Sequence, residues 1–263
     1  MITPILMLGA GRMGGAMVEG WLRAGAFAAS DLMIRDPQPG PAAERAVGAA
    51  INPPDADLAR ARTVVLAVKP QVWRDAAAEV AGWLAGEAVV ISICAGVRSA
   101  DVARELGGRA VARVMPTTAA AIGQGTASIF ADDPAALARA HALFEPLGTV
   151  VDLADEDLMH VATAVSGSSP AYLYAFIEAL EAAGAASGLS TAEAQRLARS
   201  TLTGAAALLA RSGEDPAELR RQVTSPGGTT QAALDVLMGQ PGLSGLMRDA
   251  VAAAIRRSKE LGA

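Results

Sequence analysis

Gly9-Ala10-Gly11-Arg12-Met13-Gly14 separates a short apolar run from an amphipathic segment near the start of the chain. The apolar run predicts a strand over residues 5–8, and the amphipathic segment predicts a helix over 13–24. Between a strand and a helix, the first glycine allows a tight turn, the second lets the backbone approach a pyrophosphate, and the third permits close packing. Free N–H groups at the helix start would meet the phosphate. We therefore expect this segment to bind a dinucleotide.

Short apolar runs continue to alternate with alanine-rich amphipathic stretches through the first half of the chain. Runs such as VVLAV are continuously apolar, which is typical of strands buried on both faces of a sheet. The alternation predicts an α/β Rossmann-type fold with a doubly wound, mostly parallel sheet. The predicted strands cover residues 5–8, 32–35, 63–68, 88–93, 110–115, 126–130 and 149–152, and the helices cover 13–24, 71–84, 99–106 and 134–147.

The pattern changes after Asp152, where no further strand is predicted and long alanine-rich helices are broken by Gly, Ser and Pro. We place the domain boundary near Asp157, with a dinucleotide-binding domain over residues 1–157 and an all-α domain over 158–263. The helices of the second domain are predicted over residues 156–187 with an interruption at 166–170, and over 191–210, 216–223, 230–238 and 243–261.

Composition excludes several classes of function. The net charge of -5 and the absence of a basic stripe argue against a nucleic-acid partner. The single Cys94 and the widely separated His141 and His160 predict no disulfide framework and no metal site. Residues 158–177 are uncharged, but their central Ser, Thr, Gly and Pro would be costly in lipid, so we expect no membrane partner. With no secretory signal visible, we expect a cytoplasmic protein.

The end of the second predicted strand carries Arg35 and Asp36. An acid at this place in a Rossmann fold accepts hydrogen bonds from the ribose 2′-OH of NAD, whereas an arginine pairs with the 2′-phosphate of NADP. An ordinary charged strand end is equally compatible with the pattern, so this position does not decide the cofactor. Lys69 and Pro70 end the next strand, where ligands of open α/β sheets bind, although a solvated surface lysine fits as well.

Two segments of the second half combine small and hydroxyl-bearing residues. Ser166-Gly167-Ser168-Ser169-Pro170 interrupts a predicted helix; it makes room either for a ligand or for a closely packed helix. Thr224-Ser225-Pro226-Gly227-Gly228-Thr229-Thr230 precedes an apolar helical run, which places free N–H groups and hydroxyls at a helix N-terminus. We favour a site for a small anion such as a carboxylate there, with a simple helix cap as the alternative.

Taken in order along the chain, these segments resemble the motifs of pyrroline-5-carboxylate reductases. The chain departs from that family at residues 115–119, where MPTTA replaces the usual MPNTP and removes an Asn amide and a proline. The matching motifs are GAGRMG at residues 9–14, AVKP at 67–70, AGV at 95–97, VMPTT at 114–118, SGSSPAY at 166–172 and TSPGGTT at 224–230.

The resemblance implies a Rossmann domain followed by an all-helical, substrate-binding domain that dimerises by interleaving and often assembles into rings of dimers. It implies hydride transfer from nicotinamide C4 to the C=N carbon of 1-pyrroline-5-carboxylate, giving L-proline, the last step of proline biosynthesis. It also implies NADPH as the cofactor, and because of Asp36 we expect NADH to be accepted to a measurable degree.

The resemblance further assigns roles to individual residues. The substrate carboxylate would be bound by Ser225, Gly228, Thr229 and Thr230. Pro170 would pack on the pyrroline ring, and Thr230 would hydrogen-bond the ring nitrogen, with solvent an equally good proton donor. The cofactor would contact Gly9, Ala10, Gly11, Arg12, Met13, Gly14, Arg35, Asp36, Ala67, Val68, Lys69, Pro70, Ala95 and Gly96.

Two other functions compete with this interpretation. A β-hydroxyacid dehydrogenase shares the glycine motif and a helical second domain, but it uses a lysine on the long interdomain helix, and residues 156–187 contain no lysine or arginine. A non-catalytic dinucleotide sensor would keep residues 9–14 but would have no use for the hydroxyl-rich helix start at 224–230.

Overall fold

A computed structural model describes residues 2–262. The chain divides into two compact units, of which the first contains the residues up to Gly167 together with those from Ala254 onward. The second unit is Ser168–Ala253. The division differs from the boundary predicted near Asp157, because the short helix that follows Asp157 and the last turns of the C-terminal helix belong to the first unit.

The first unit contains a sheet with the strand order β3-β2-β1-β4-β5-β6-β7-β8. All neighbouring strands are parallel except β6 and β7, which are antiparallel. This order confirms the Rossmann-type, doubly wound fold, with a crevice where the order reverses between β1 and β4. The strands are β1 Ile5–Leu8, β2 Leu32–Arg35, β3 Ala50–Ile51, β4 Thr63–Leu66, β5 Val89–Ser92, β6 Val111–Pro116, β7 Gly125–Phe130 and β8 Gly148–Asp152.

Alternate side chains of the central strands fill two cores, one on each face of the sheet. Ile5 and Met7 enter the core beneath the first helix, whereas Leu6 and Leu8 enter the core on the opposite face. Burial on both faces explains why these strands read as continuous apolar runs. The helices of the first unit are α1 Arg12–Ala24, α2 Pro41–Arg45, α3 Trp73–Ala81, α4 Ser99–Glu105, α5 Pro134–Phe144 and α6 Leu158–Ala162.

The second unit is helical, as predicted. Two of its helices begin at side-chain caps: Ser190 and Glu193 form a capping box at one helix start, and Asp215 caps the next. Across residues 2–262, no helix is long and apolar enough to cross a membrane. The helices are α7 Ser169–Ala186, α8 Thr191–Ser212, α9 Pro216–Gln222, α10 Thr229–Leu237 and α11 Leu243–Glu260, whose end lies in the first unit.

The interruption predicted at residues 166–170 is present, but it differs in form. A π-helical turn, Thr163–Gly167, follows α6, and α7 then begins at Ser169 with Pro170 in its first turn. The predicted interruption is therefore a π-helical turn followed by a new helix start, and Pro170 does not break an α-helix from within. A proline is tolerated in the first turn of a helix because its missing N–H would have no intrahelical partner there.

Candidate active site

The glycine loop after β1 has the geometry that its sequence predicts. Gly9 adopts φ +92°, and a Cβ built there would lie 2.8 Å from the Ala67 carbonyl oxygen and 2.9 Å from Val68 Cγ1. A Cβ at Gly14 would overlap the carbonyl oxygen of Gly9. Both glycines are therefore required by the turn and by the packing of α1 against the strands.

Gly11 lies in a different environment, because a Cβ built there would meet no atom within 4 Å. Gly11 is also the N-cap of α1, and no side chain caps this helix start. A side chain at this position would therefore fill open space beside the first turn of the helix. These features fit a bound pyrophosphate, which needs close approach to backbone N–H groups.

Asp36 is held firmly beside this loop. Its Oδ2 accepts a 2.6 Å hydrogen bond from the Ala10 N–H, and its Oδ1 accepts a 2.8 Å bond from the Gln38 N–H. The Asn52 side chain binds the backbone of Asp36 twice, accepting from its N–H and donating to its carbonyl oxygen, both at 3.0 Å. These hydrogen bonds therefore connect the glycine loop to the ends of β2 and β3.

Sequence reasoning missed Asn52. Asn52 has φ +47°, a conformation that asparagine adopts more readily than most other residues. It directly follows β3, a strand of two residues that is too short to stand out as a periodic run.

The sequence position of Arg35 suggested the 2′-phosphate of NADP as its partner, but in the structure Arg35 pairs with a carboxylate of the protein. Its guanidinium forms an ion pair with Asp55, in the turn after β3. Its side chain is 28% exposed, and its Nε is buried without a hydrogen-bond partner. The guanidinium is therefore engaged within the protein.

Four predicted cofactor residues follow the ends of neighbouring strands β4 and β5: Ala67 and Val68, and Ala95 and Gly96. Lys69 is exposed, and no ion pair to it is found among residues 2–262, in keeping with the surface-lysine alternative. Gly96 has φ +81°, and a Cβ there would lie 2.7 Å from the Gly262 nitrogen. It is thus required by the approach of the C-terminal segment.

Cys94 lies just before Ala95 and is buried. Burial raises the pKa of its thiol to about 11, so the thiolate form is scarce at neutral pH. Its Sγ lies 3.4 Å from the Val68 carbonyl oxygen. Within residues 2–262, no group of three or more His, Cys, Asp or Glu side chains could hold a metal ion.

A buried ion pair, which the sequence did not reveal, fixes the first turn of α4. Arg113 on β6 is 4% exposed and lies 3.0 Å from Glu156 Oε1, which also accepts a 2.7 Å hydrogen bond from the Ser99 N–H. Burial acts to raise the pKa of Glu156, but the bonds from Ser99 and Arg113 outweigh it and lower that pKa. Glu156 is therefore an ionised link between β6 and α4.

The second unit contains the hydroxyl-rich helix start at residues 224–230. Gly228 is the N-cap of α10, and no side chain caps this helix. Thr229 is exposed and Thr230 is half-buried, whereas the Thr224 hydroxyl donates to the Arg220 carbonyl oxygen at 2.6 Å. Because the hydroxyls do not cap the helix, the alternative of a simple cap loses support, and the N–H groups of the first turn are open to an anion.

The remaining predicted substrate residues lie in the same unit. Ser225 is exposed, and its carbonyl oxygen accepts a 3.0 Å hydrogen bond from the Gly228 N–H. Pro170 is half-buried in the first turn of α7, two residues before Tyr172, whose hydroxyl is buried without a partner.

Comparisons with known proteins match both units. A family profile described as "Pyrroline-5-carboxylate reductase dimerisation" matches residues 156–261. A second profile, described as "NADP oxidoreductase coenzyme F420-dependent", matches residues 4–96.

Curated relatives carry the same family name. A pyrroline-5-carboxylate reductase of Synechocystis is 43% identical over 216 residues, covering 81% of this chain and 80% of that protein. The enzyme of that name from Pseudomonas aeruginosa is 38% identical over 269 residues, covering 99% of this chain and 98% of that protein.

Solved structures agree. A pyrroline-5-carboxylate reductase from Coxiella burnetii superimposes with a TM-score of 0.90 at 29% identity, covering 100% of both chains. The pyrroline carboxylate reductase of Plasmodium falciparum, solved with NADP bound, gives a TM-score of 0.86 at 26% identity, covering 99% of this chain and 98% of that one. The chain belongs to the pyrroline-5-carboxylate reductase family.

Proposed function

We propose that this protein reduces 1-pyrroline-5-carboxylate to L-proline with hydride from a nicotinamide dinucleotide, the last step of proline biosynthesis. The observation that carries the proposal is that two open helix starts suited to anions occur in one chain of this family. One is the glycine loop before α1, and the other is the uncapped start of α10. Relatives named for this reaction match along the whole chain.

The first of these sites is assigned to the dinucleotide, within a domain over residues 1–157. The open space at Gly11 fits the pyrophosphate, and the ends of β1, β2 and β4 meet beside it. When bound, the nicotinamide supplies the hydride. The choice between NADPH, which the family resemblance favours, and NADH depends on the residues that follow β2.

The second site is assigned to the substrate carboxylate, within a domain over residues 158–263. The proposed ligands are Ser225, Gly228, Thr229 and Thr230. Their hydroxyls and the N–H groups that follow Gly228 can donate to one carboxylate, whereas the Gly228 N–H is bonded to the Ser225 carbonyl oxygen. A cyclic imine is already electrophilic, so the protein has to position it and needs neither a metal nor a covalent nucleophile. Thr230 would hydrogen-bond the ring nitrogen, and Pro170 would pack on the ring.

Self-association is a third part of the proposal. Large apolar side chains of the second unit remain exposed, among them Leu180 and Leu208, at 43% and 55%. Burial between two copies would remove this surface from water, in keeping with a homodimer or a ring of dimers. A cytoplasmic location and the absence of a nucleic-acid partner stay predictions from the sequence.

Removal of the two threonine hydroxyls tests the substrate site. In the double variant Thr229→Ala and Thr230→Ala, we expect KM for pyrroline-5-carboxylate to rise at least tenfold, because each hydrogen bond to a charged group contributes about 1.5–3 kcal/mol. The Kd for the coenzyme should change little. Ser200→Ala with Thr203→Ala is the matched control, since these hydroxyls bond only to carbonyl oxygens of α8. An unchanged KM would show that residues 224–230 form an ordinary helix start that does not bind the substrate carboxylate.

A further inference from the structure

The carboxylate of Asp36 cannot turn away from the space beside the glycine loop without losing hydrogen bonds. Each of its oxygens accepts from one backbone N–H, that of Ala10 at 2.6 Å and that of Gln38 at 2.8 Å. Asn52 fixes the backbone of the same residue at both its N–H and its carbonyl oxygen. A carboxylate oxygen has capacity for more than one donor, so Asp36 keeps lone pairs for hydroxyl groups.

This carboxylate follows β2, the strand end at which an acid of a Rossmann fold meets the ribose 2′-hydroxyl. A hydroxyl there donates to the carboxylate. A 2′-phosphate would instead bring negative charge against a carboxylate whose position is fixed, and like charges at contact distance repel strongly in a partly buried site.

Nothing in the segment after β2 offsets this repulsion. Residues 36–44 contain no Lys, Arg, Ser or Thr, and they add a second acid, Glu44. The guanidinium of Arg35 is paired with Asp55, and that of Arg45 is paired with Glu19. The groups that usually recognise a 2′-phosphate, free guanidinium and hydroxyl groups, are thus absent from this segment or engaged elsewhere.

We propose that Asp36 makes the enzyme select NADH over NADPH. The proposal rests on the dinucleotide site proposed above and deepens it by naming the form of coenzyme and the residue that distinguishes the two. It departs from the NADPH expected from the family resemblance, because it rests on the side chains that follow β2 in this chain.

Direct binding measurements test the proposal without turnover. The Kd values of NADH and NADPH are measured on the full chain by nicotinamide fluorescence, for the wild type, Asp36→Asn and Asp36→Ser. We expect the wild type to bind NADH at least tenfold more tightly than NADPH. Asp36→Asn keeps an oxygen for the Ala10 N–H but removes the charge, so the ratio should shift at least tenfold toward NADPH. Asp57→Asn controls for the change in net charge.

Any one of four results would overturn the proposal. The first is a wild type that binds NADPH as tightly as NADH, in which case Arg12→Ala and Arg35→Ala identify the cation responsible. The second is Asp36→Asn weakening both coenzymes equally, which would make Asp36 a support for the loop and nothing more. The third is binding of neither dinucleotide, which would remove the proposed dinucleotide site as well. Reduction of pyrroline-5-carboxylate with NADPH alone would leave the proposed function standing while refuting this inference.

Discussion

The two units of the chain differ sharply in how completely they bury their own apolar side chains. The first unit has dense cores on both faces of its sheet, with Trp21, Leu66 and Ile91 fully buried. In the second unit, the buried hydrophobic side chains among the residues described are Ile177, Ala194 and Ala198. The first unit is therefore stabilised from within, whereas the second exposes an apolar surface that a single copy does not cover.

The difference also separates the two proposed tasks. In the first unit, rigid strand ends place the glycine loop and Asp36 against each other, which suits a site for a large cofactor. In the second unit, the helix start at residues 224–230 is supported mainly by local turns. We infer that the substrate segment depends more strongly on assembly than the cofactor loop does.

The largest expected effect is on coenzyme binding at the glycine loop of the first unit. Gly11→Val should abolish coenzyme binding without unfolding the protein, because the new side chain fills the space assigned to the pyrophosphate and meets no protein atom within 4 Å of its Cβ. Gly86→Val is the matched control, since its Cβ also meets no atom within 4 Å. Coenzyme titration and circular dichroism together check the result, and normal affinity in the folded variant would refute the assignment of the loop.

Ion pairs offer a comparison of stability between the units. Glu156→Ala should lower the free energy of unfolding of the first unit by about 3–5 kcal/mol, because it leaves Arg113 buried without its partner carboxylate. Arg199→Ala removes an ion pair of the second unit whose arginine side chain is 64% exposed, and it should cost clearly less, because solvent screens an exposed pair.

Urea unfolding measures both effects, followed by tryptophan fluorescence for the first unit, which contains all three tryptophans, and by circular dichroism for the helical second unit. Because the pKa of Glu156 is lowered in the folded state, its contribution is present at neutral pH and is lost as pH falls below about 4.3. Equal losses in the free energy of unfolding for Glu156→Ala and Arg199→Ala would contradict the expected difference between the two ion pairs.

The smallest expected effect is a change in stability with pH near neutrality. It should arise in the first unit, because both histidines belong to that unit. Hydrogen bonding to Glu145, and then to Asp152, raises the pKa of His141 against the effect of burial. Its stabilisation is therefore complete below about pH 6.5 and is lost as pH rises through the folded-state pKa.

His141 is a surface group, so the contribution should stay below about 1 kcal/mol. Chemical unfolding of the wild type and His141→Gln at pH 6 and pH 9 should show a larger difference at the lower pH. A larger difference at the higher pH would contradict a raised pKa of His141 in the folded state.

Much of the first unit was predictable from sequence, because burial on both faces of the sheet leaves an apolar run in each central strand. The bounds of β1 and β2 match their predicted ranges. In the second unit, the start of α8 at Thr191 matches its predicted range, and the capping box of Ser190 and Glu193 that fixes it is a local sequence pattern.

Side-chain partners were not predictable, because they join residues far apart in sequence. The roles of Asp36 and Arg35 depend on Ala10 and Asp55, which reach them only through the geometry of separate loops. The Arg113–Glu156 pair likewise connects β6 to the segment before α6. Neither pairing leaves a pattern in the local sequence.

The central claim is that the chain is a reductase with a coenzyme site in one unit and a carboxylate site in the other. Its most direct test is oxidation of NADH and of NADPH by the purified full chain with pyrroline-5-carboxylate, with proline quantified in the same samples. We predict imine-dependent oxidation with one proline formed for each coenzyme oxidised. A folded protein that binds the dinucleotide but forms no proline would contradict the account and favour a dinucleotide sensor.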